Sequence, residues 1–133
     1  TAYRRQRQMC IRDSTHTDPN DPERLLAALG GPEFAVLAGV CLGAAEAGSP
    51  VVLDGLATSV AALIATKFSP GLHGWLVASQ ASREQVHHIV LAELGLEALM
   101  ELRMRAGEGV GACFGAQMIL TGLQVRRTAA RTC

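Results

Sequence analysis

The sequence has 133 residues, 49% of them apolar, which suits one domain with a packed core and excludes a disordered chain. Its longest apolar runs fall far short of the roughly 20 residues that a membrane span needs, so we expect no contact with a membrane. The 12 basic and 12 acidic residues balance over the whole chain. Between residues 13 and 125, however, there are only five basic residues, while all 12 acidic residues lie in this segment. The acidic charge of this segment, and an aromatic content of 4% in the whole chain, argue against nucleic-acid binding.

The four cysteines stand apart, without the CxxC pairs that are typical of zinc sites. We expect a reducing, cytoplasmic location, with Cys41 and Cys113 as small buried residues among Gly and Ala. His87 and His88 are adjacent, and neighbouring side chains on a helix point about 100° apart, so the pair cannot bind one metal ion together. The sequence therefore predicts neither a metal site nor a disulfide framework.

The chain opens with a segment, residues 1–14, that lacks helical or strand periodicity and holds four arginines. We interpret it as a leader outside the fold, with a basic arm as the alternative. Asp21 then predicts an N-cap, followed by a short helix that ends at Gly30-Gly31. A longer helix is predicted from Pro32 to about Ala47, with Gly48 as its stop.

The middle of the chain alternates between buried strands and helices. Residues 50–54 form a short apolar run that is typical of a strand buried in a parallel sheet, and a helix is predicted from about 56 to 68. A second buried run at 75–78 precedes a helix that is capped by Ser82 and ends at Leu94. This βαβα order predicts an α/β fold of the doubly wound type, and only part of a domain, because two strands make a thin sheet.

Sheets of this kind bind ligands at the carboxyl ends of their strands, where Asp54-Gly55 and residues 79–82 lie. Asp54 is suited either to orienting a ribose hydroxyl or to capping the helix after it. Ser79 and Ser82 are suited either to binding a phosphate or to capping the next helix. The residues alone leave both alternatives open.

A glycine-rich turn at residues 105–112 opens what is predicted to be a terminal helix. Its carboxylate, Glu108, is a candidate general base, and the alternative is a helix-capping turn with a solvated glutamate. A second glycine turn, Gly30-Gly31, stands before Glu33, and an acidic residue in a first helical turn is favoured by the helix dipole alone.

Three segments in this order and spacing resemble the nicotinate-nucleotide:dimethylbenzimidazole phosphoribosyltransferases of cobalamin biosynthesis. They are LGGPEFAVLAG at 29–39, PVVLDGLATSVAALIA at 50–65 and RAGEGVGA at 105–112. The resemblance implies a Rossmann-like parallel sheet with helices on both faces. It also implies a homodimeric pentosyltransferase without a cofactor or metal, which moves 5-phosphoribosyl from nicotinate mononucleotide to 5,6-dimethylbenzimidazole and gives α-ribazole 5′-phosphate.

The same resemblance implies site residues. Glu108 matches the family's general base, in a motif where Ala106 replaces leucine. The residues that match substrate-binding motifs are Gly30, Gly31, Glu33, Asp54, Gly55, Ser82, Gly107, Gly109 and Gly111. Gln80-Ala81-Ser82 stands where the family has His-Arg-Ser, which puts phosphate affinity in doubt.

Family members are more than twice as long, so the chain resembles only their C-terminal part, and alone it should be inactive. The resemblance covers residues 15–116, while residues 117–133 form a divergent tail. A rival hypothesis is a non-catalytic nucleotide-binding or dimerisation α/β domain.

Overall fold

The computed structural model of the chain describes residues 18, 20–104 and 106–129. Five α-helices, one 3-10 helix and two strands occur in these residues. In chain order they are α1 (Pro22–Leu29), α2 (Pro32–Glu46), β1 (Val51–Leu53), α3 (Leu56–Phe68), the 3-10 helix (Pro70–Trp75), β2 (Leu76–Ala78), α4 (Gln85–Glu93) and α5 (Val110–Ala129).

The two strands pair in parallel, with Val51 opposite Leu76 and Leu53 opposite Ala78. Helix α3 and the 3-10 helix connect them, as a parallel pair requires. The predicted α/β class is therefore confirmed, and so is its partial extent, since this parallel sheet has two strands in the described chain.

Helices cover both faces of this sheet. Successive side chains of a strand point to opposite faces, so Leu53 and Val52 lie on different sides. Leu53 and Leu76 belong to the main hydrophobic cluster, which α2, α3 and α4 complete. On the other face, Val52 lies beside Gly115 of α5.

Small residues allow the helices to pack closely over the first face. Ala38 and Cys41 of α2 and Ala62 and Ala65 of α3 are buried in the same cluster. Because Ala and Cys side chains are short, the two helix axes can approach closely.

The predicted helix boundaries are confirmed at several positions. The Asp21 carboxylate accepts a hydrogen bond from the Arg24 N–H at 3.0 Å and caps α1. Gly48, the predicted stop of α2, has a φ of +68°, a conformation that glycine adopts without strain. Helix α3 begins and ends at the predicted residues.

Two local predictions are wrong. Helix α4 begins at Gln85 rather than directly after Ser82, and its N-cap position is Glu84. The Ser82 hydroxyl instead accepts the Glu84 N–H at 3.3 Å. Cys41 is buried as predicted, but Cys113 is exposed, because the buried side of α5 is formed by Gly111 and Gly115.

The terminal segments bear on the predicted division of the chain. Helix α5 continues without a break through residue 116, so the predicted boundary there falls inside a helix. The predicted leader at residues 1–14 lies outside the described residues.

Among the helices described, none has the length and apolar character to cross a membrane.

The approach of α5 to the sheet gives a stability prediction. A Cβ atom at Gly115 would lie 2.6 Å from Ser79 Cβ, whereas a Cβ atom at Gly122 of the same helix meets nothing within 4 Å. Both substitutions by alanine gain helix propensity of about 1 kcal/mol. Overpacking costs about 1–3 kcal/mol, so we expect Gly115→Ala to lower the free energy of unfolding while Gly122→Ala raises it.

Urea unfolding of both variants, followed by far-UV circular dichroism, tests the prediction. Equal stabilisation by the two substitutions would show that α5 does not pack against Ser79.

Candidate functional site

A cleft of about 920 Å³ opens at the carboxyl ends of both strands. One wall comes from the residues that follow β1 and from the start of α3, and another from the segment between β2 and α4. The glycine-rich turn before α5 borders it as well. Its described lining residues are Phe34, Asp54, Gly55, Leu56, Ala57, Thr58, Val60, Gln80, Ser82, Arg83, Glu84, Met104, Gly107, Glu108 and Gly109.

Asp54 is buried and connects two walls of this cleft. Its Oδ1 accepts the Ala112 N–H at 3.1 Å, and its Oδ2 lies 3.3 Å from the Gly109 N, which donates to it. The carboxylate thus caps α5, more than fifty residues away along the chain. It does not cap the helix that follows it, which was one of the two roles considered from the sequence. The other role, binding a ribose hydroxyl, stays a prediction.

The helix that follows Asp54 is capped by another side chain. Thr58 Oγ1 accepts the backbone N–H groups of Asp54 and Gly55 at 3.0 and 3.1 Å, and it donates to the Gly55 carbonyl at 2.9 Å. This local ring of bonds fixes the chain where it leaves β1. The Asp54 side chain is thereby left to bind the distant turn.

The glycine-rich turn holds three consecutive residues in the left-handed region. Gly107, Glu108 and Gly109 have φ values of +65°, +55° and +81°. Glutamate rarely adopts this conformation, which costs of order 1 kcal/mol and persists only where the surroundings impose it. The Glu108 side chain is exposed along the wall of the cleft.

Gly111 lies in a tight place behind the cleft. A Cβ atom there would be 2.6 Å from Gln80 Nε2 and 2.7 Å from Asp54 Oδ1. The absence of a side chain therefore lets the first turn of α5 approach the ends of both strands. Gly111 shapes the cleft from behind and is not among its lining residues.

The segment after β2 is fixed by buried polar contacts. The Ser79 hydroxyl donates to the Leu53 carbonyl, which ties the two strand ends together and matches neither role considered for it. Gln80 is buried, and its Oε1 has no hydrogen-bond partner in the described chain. Ser82 donates its backbone N–H to Nδ1 of His87 at 3.0 Å.

His87 is a residue of the site that reasoning from the sequence missed. It is 1% exposed, and its Nε2 lies 3.0 Å from the hydroxyl of buried Ser59. Burial lowers the pKa of His87 below its ordinary value. The spacing from Ser82 to His87 was visible in the sequence, but nothing in it showed that the ring would face inward.

The first glycine turn stands apart from the cleft. Gly30, Gly31 and Glu33 are not among the lining residues, although Phe34 of the same helix is. The Glu33 carboxylate folds back over Gly31, at the positive end of α2. A contact between these three residues and a substrate stays a prediction.

The described residues contain no group of three or more His, Cys, Asp or Glu side chains placed to hold a metal ion. The polar side chains among the described lining residues are three carboxylates, two hydroxyls, one amide and one guanidinium group. Such a set suits hydrogen bonding to a polar substrate and proton transfer.

The chain matches a family model described as phosphoribosyltransferase over residues 2–132. It is 42% identical over 109 residues to a nicotinate-nucleotide–dimethylbenzimidazole phosphoribosyltransferase of Desulforudis audaxviator, covering 82% of this chain and 31% of the relative. The enzyme of that name from Mycobacterium tuberculosis is 45% identical over 100 residues, covering 75% of this chain and 27% of the relative.

A solved structure, CobT from Thermus thermophilus, superposes with a TM-score of 0.78 at 40% identity. The superposition covers 86% of this chain and 35% of that one. The chain thus spans about a third of the length of the relatives that it matches. The domain boundaries predicted at residues 15 and 116 stay predictions, since the family match extends across both.

The contacts of Asp54 predict a large effect of its removal. Asp54→Ala leaves the amides of Gly109 and Ala112 without their charged acceptor, and we expect it to lower the free energy of unfolding by about 2–3 kcal/mol. Asp21→Ala removes an exposed N-cap of α1 and serves as the control, with an expected loss of about 1 kcal/mol.

Amide hydrogen exchange locates the effect. In Asp54→Ala, protection at Gly109 and Ala112 should fall, while in Asp21→Ala it should not change. Unchanged exchange at both amides in Asp54→Ala would contradict the capping role.

Proposed function

The chain belongs to the family of nicotinate-nucleotide–dimethylbenzimidazole phosphoribosyltransferases, and we propose that it supplies the general base and part of the mononucleotide cleft of such an enzyme. The reaction proposed is transfer of 5-phosphoribosyl from nicotinate mononucleotide to 5,6-dimethylbenzimidazole. Its products are nicotinate and α-ribazole 5′-phosphate.

The chemistry of this transfer needs a proton acceptor near the sugar. One benzimidazole nitrogen attacks the anomeric carbon with inversion, and the bond from that carbon to the nicotinate nitrogen breaks, with its electron pair leaving on nicotinate. The attacking ring then carries an extra positive charge, which it loses with its N–H proton. A carboxylate accepts that proton and stabilises the positive charge that develops on the sugar.

The observation that carries the proposal is the position of Glu108. Its side chain borders the cleft at the carboxyl ends of both strands, where ligands of parallel sheets bind. Asp54 holds the C-terminal side of this turn in place through the amides of Gly109 and Ala112. The base is thus on a fixed backbone while its carboxylate remains accessible to a substrate.

The other predicted substrate contacts follow from the same cleft. Gly55, Ser82, Gly107 and Gly109 line it and are proposed to contact the mononucleotide. Asp54 also lines it, and we retain its predicted contact with the mononucleotide as a proposal. The hydrogen bonds of its carboxylate support an additional role in shaping the site. For Gly30, Gly31, Glu33 and Gly111, we retain substrate binding as a proposal that rests on the family motifs.

The proposal extends to the state of the whole enzyme. The family resemblance supports a homodimer in the cytoplasm that needs no cofactor. Because the chain spans about a third of its relatives' length, we expect turnover only when the remaining two thirds are supplied. A chimera in which this chain replaces the matching segment of the Thermus thermophilus relative supplies them.

Glu108→Gln in this chimera tests the assigned base. Glutamine preserves the size and polarity of the side chain but cannot accept the proton, so kcat should fall by about 10²–10⁴-fold. Binding of nicotinate mononucleotide, measured by calorimetry, should change little. Glu97→Gln, at an exposed position off the cleft, is the matched control and should leave both quantities unchanged.

Full activity of Glu108→Gln would refute the assignment of the base. A chimera that binds nicotinate mononucleotide and never turns it over, with or without Glu108, would favour a non-catalytic nucleotide-binding domain.

A further inference from the structure

A buried histidine stands directly behind one wall of the cleft. His87 of α4 reaches back to the segment that joins β2 to α4, where its Nδ1 lies 3.0 Å from the backbone nitrogen of Ser82. Its Nε2 lies 3.0 Å from Oγ of Ser59, which is fully buried on α3. The ring therefore bridges the cleft wall and a helix of the core.

These two contacts determine where the ring carries its proton. A backbone N–H can only donate a hydrogen bond, so Nδ1 of His87 must be the unprotonated acceptor. In the neutral ring the proton then lies on Nε2 and is donated to the Ser59 hydroxyl. Both bonds are made together only by the neutral ring in this tautomer.

The surroundings favour the neutral ring. Burial lowers the pKa of His87 below its ordinary value of 6.5, and the neighbouring His88 lowers it as well. The carboxylates of Glu84 and Asp54 act in the opposite direction, but the net shift is downward. At neutral pH, His87 is therefore uncharged and able to accept the Ser82 N–H.

The segment that His87 holds forms a wall of the cleft. Gln80, Ser82, Arg83 and Glu84 all line it. Ahead of Ser82, the Ala81 N–H is bonded to the Met100 carbonyl at 2.9 Å. The His87 ring holds the next residue, Ser82, so the position of Ser82 depends on the hydrogen bond to Nδ1.

We propose that His87 is a positioning residue, which holds Ser82 on the cleft wall through its neutral ring and thereby sets the affinity for the mononucleotide. The inference rests on the proposed function for the identity of the ligand. Protonation of Nδ1 would turn the acceptor into a donor that faces the Ser82 N–H. The bond is then lost, and affinity falls on the acid side of pH 6.5.

The first experiment needs no substrate. In the 133-residue chain labelled with ¹⁵N, the imidazole spectrum at pH 7.5 should show His87 with an unprotonated Nδ1 and a protonated Nε2. The amide resonance of Ser82 should shift as pH falls below 6.5, together with protonation of His87. A charged ring at pH 7.5, or a proton on Nδ1, would overturn the inference.

The second experiment measures kinetics in the chimera. His87→Leu removes the acceptor, and we expect KM for nicotinate mononucleotide to rise about tenfold, the equivalent of about 1.4 kcal/mol, with kcat within about twofold. His87→Asn places an amide oxygen near the position of Nδ1, so it should rescue KM to within about threefold. His88→Asn changes the exposed neighbour and is the matched control.

The pH profile separates positioning from a merely structural role. KM of the wild type should rise as pH falls below 6.5, whereas KM of His87→Asn should stay flat because the amide does not titrate. Equal losses of kcat in the Leu and Asn variants, or a rising profile in His87→Asn, would overturn the inference. If the wild-type chimera fails to bind the mononucleotide, the proposed function fails, and the imidazole and Ser82 resonances still decide whether His87 holds the wall.

Discussion

The bond from the Asp54 carboxylate to the start of α5 determines the geometry of the cleft. Asp54 follows β1, and the amides that it accepts belong to Gly109 and Ala112, so one buried side chain joins the sheet to the last helix. The first amides of a helix have no partner within the helix, and its N-terminus carries a partial positive charge. A carboxylate satisfies both conditions, and hydrogen bonds to charged groups contribute about 1.5–3 kcal/mol each.

This bond explains why the turn can keep an unfavourable backbone. Glu108 lies in the left-handed region between two glycines, and such a residue is retained only where its surroundings hold it. Asp54 holds the C-terminal flank, and Gly111 allows the close approach that brings the two together, since a Cβ atom there would overlap Asp54 Oδ1. The strain is thus placed at the residue whose carboxylate borders the cleft.

The sequence predicted local features better than contacts between distant segments. Helix α3, the N-cap Asp21 and the parallel pairing of β1 with β2 depend on neighbouring residues or on periodicity, and all are confirmed. The position of the cleft also follows from a general rule, because residues after parallel strands meet at one edge.

The partner of the Asp54 side chain lies more than fifty residues away, and a local pattern cannot show it. Cys113 was wrongly predicted as buried because its surroundings of Gly and Ala suggested a core, whereas the glycines themselves form the buried side of α5.

Both walls are fixed by the same physical means, in which a buried polar side chain accepts hydrogen bonds from backbone amides. Asp54 does so for the glycine-rich turn, and His87 does so for Ser82. Every residue except proline has a backbone N–H, so these attachments are independent of the side chains that line the walls. The bond from the Ala81 N–H to the Met100 carbonyl likewise holds the second wall without using the side chain of Gln80 or Ala81. A cleft built in this way can vary its ligand contacts without moving Glu108.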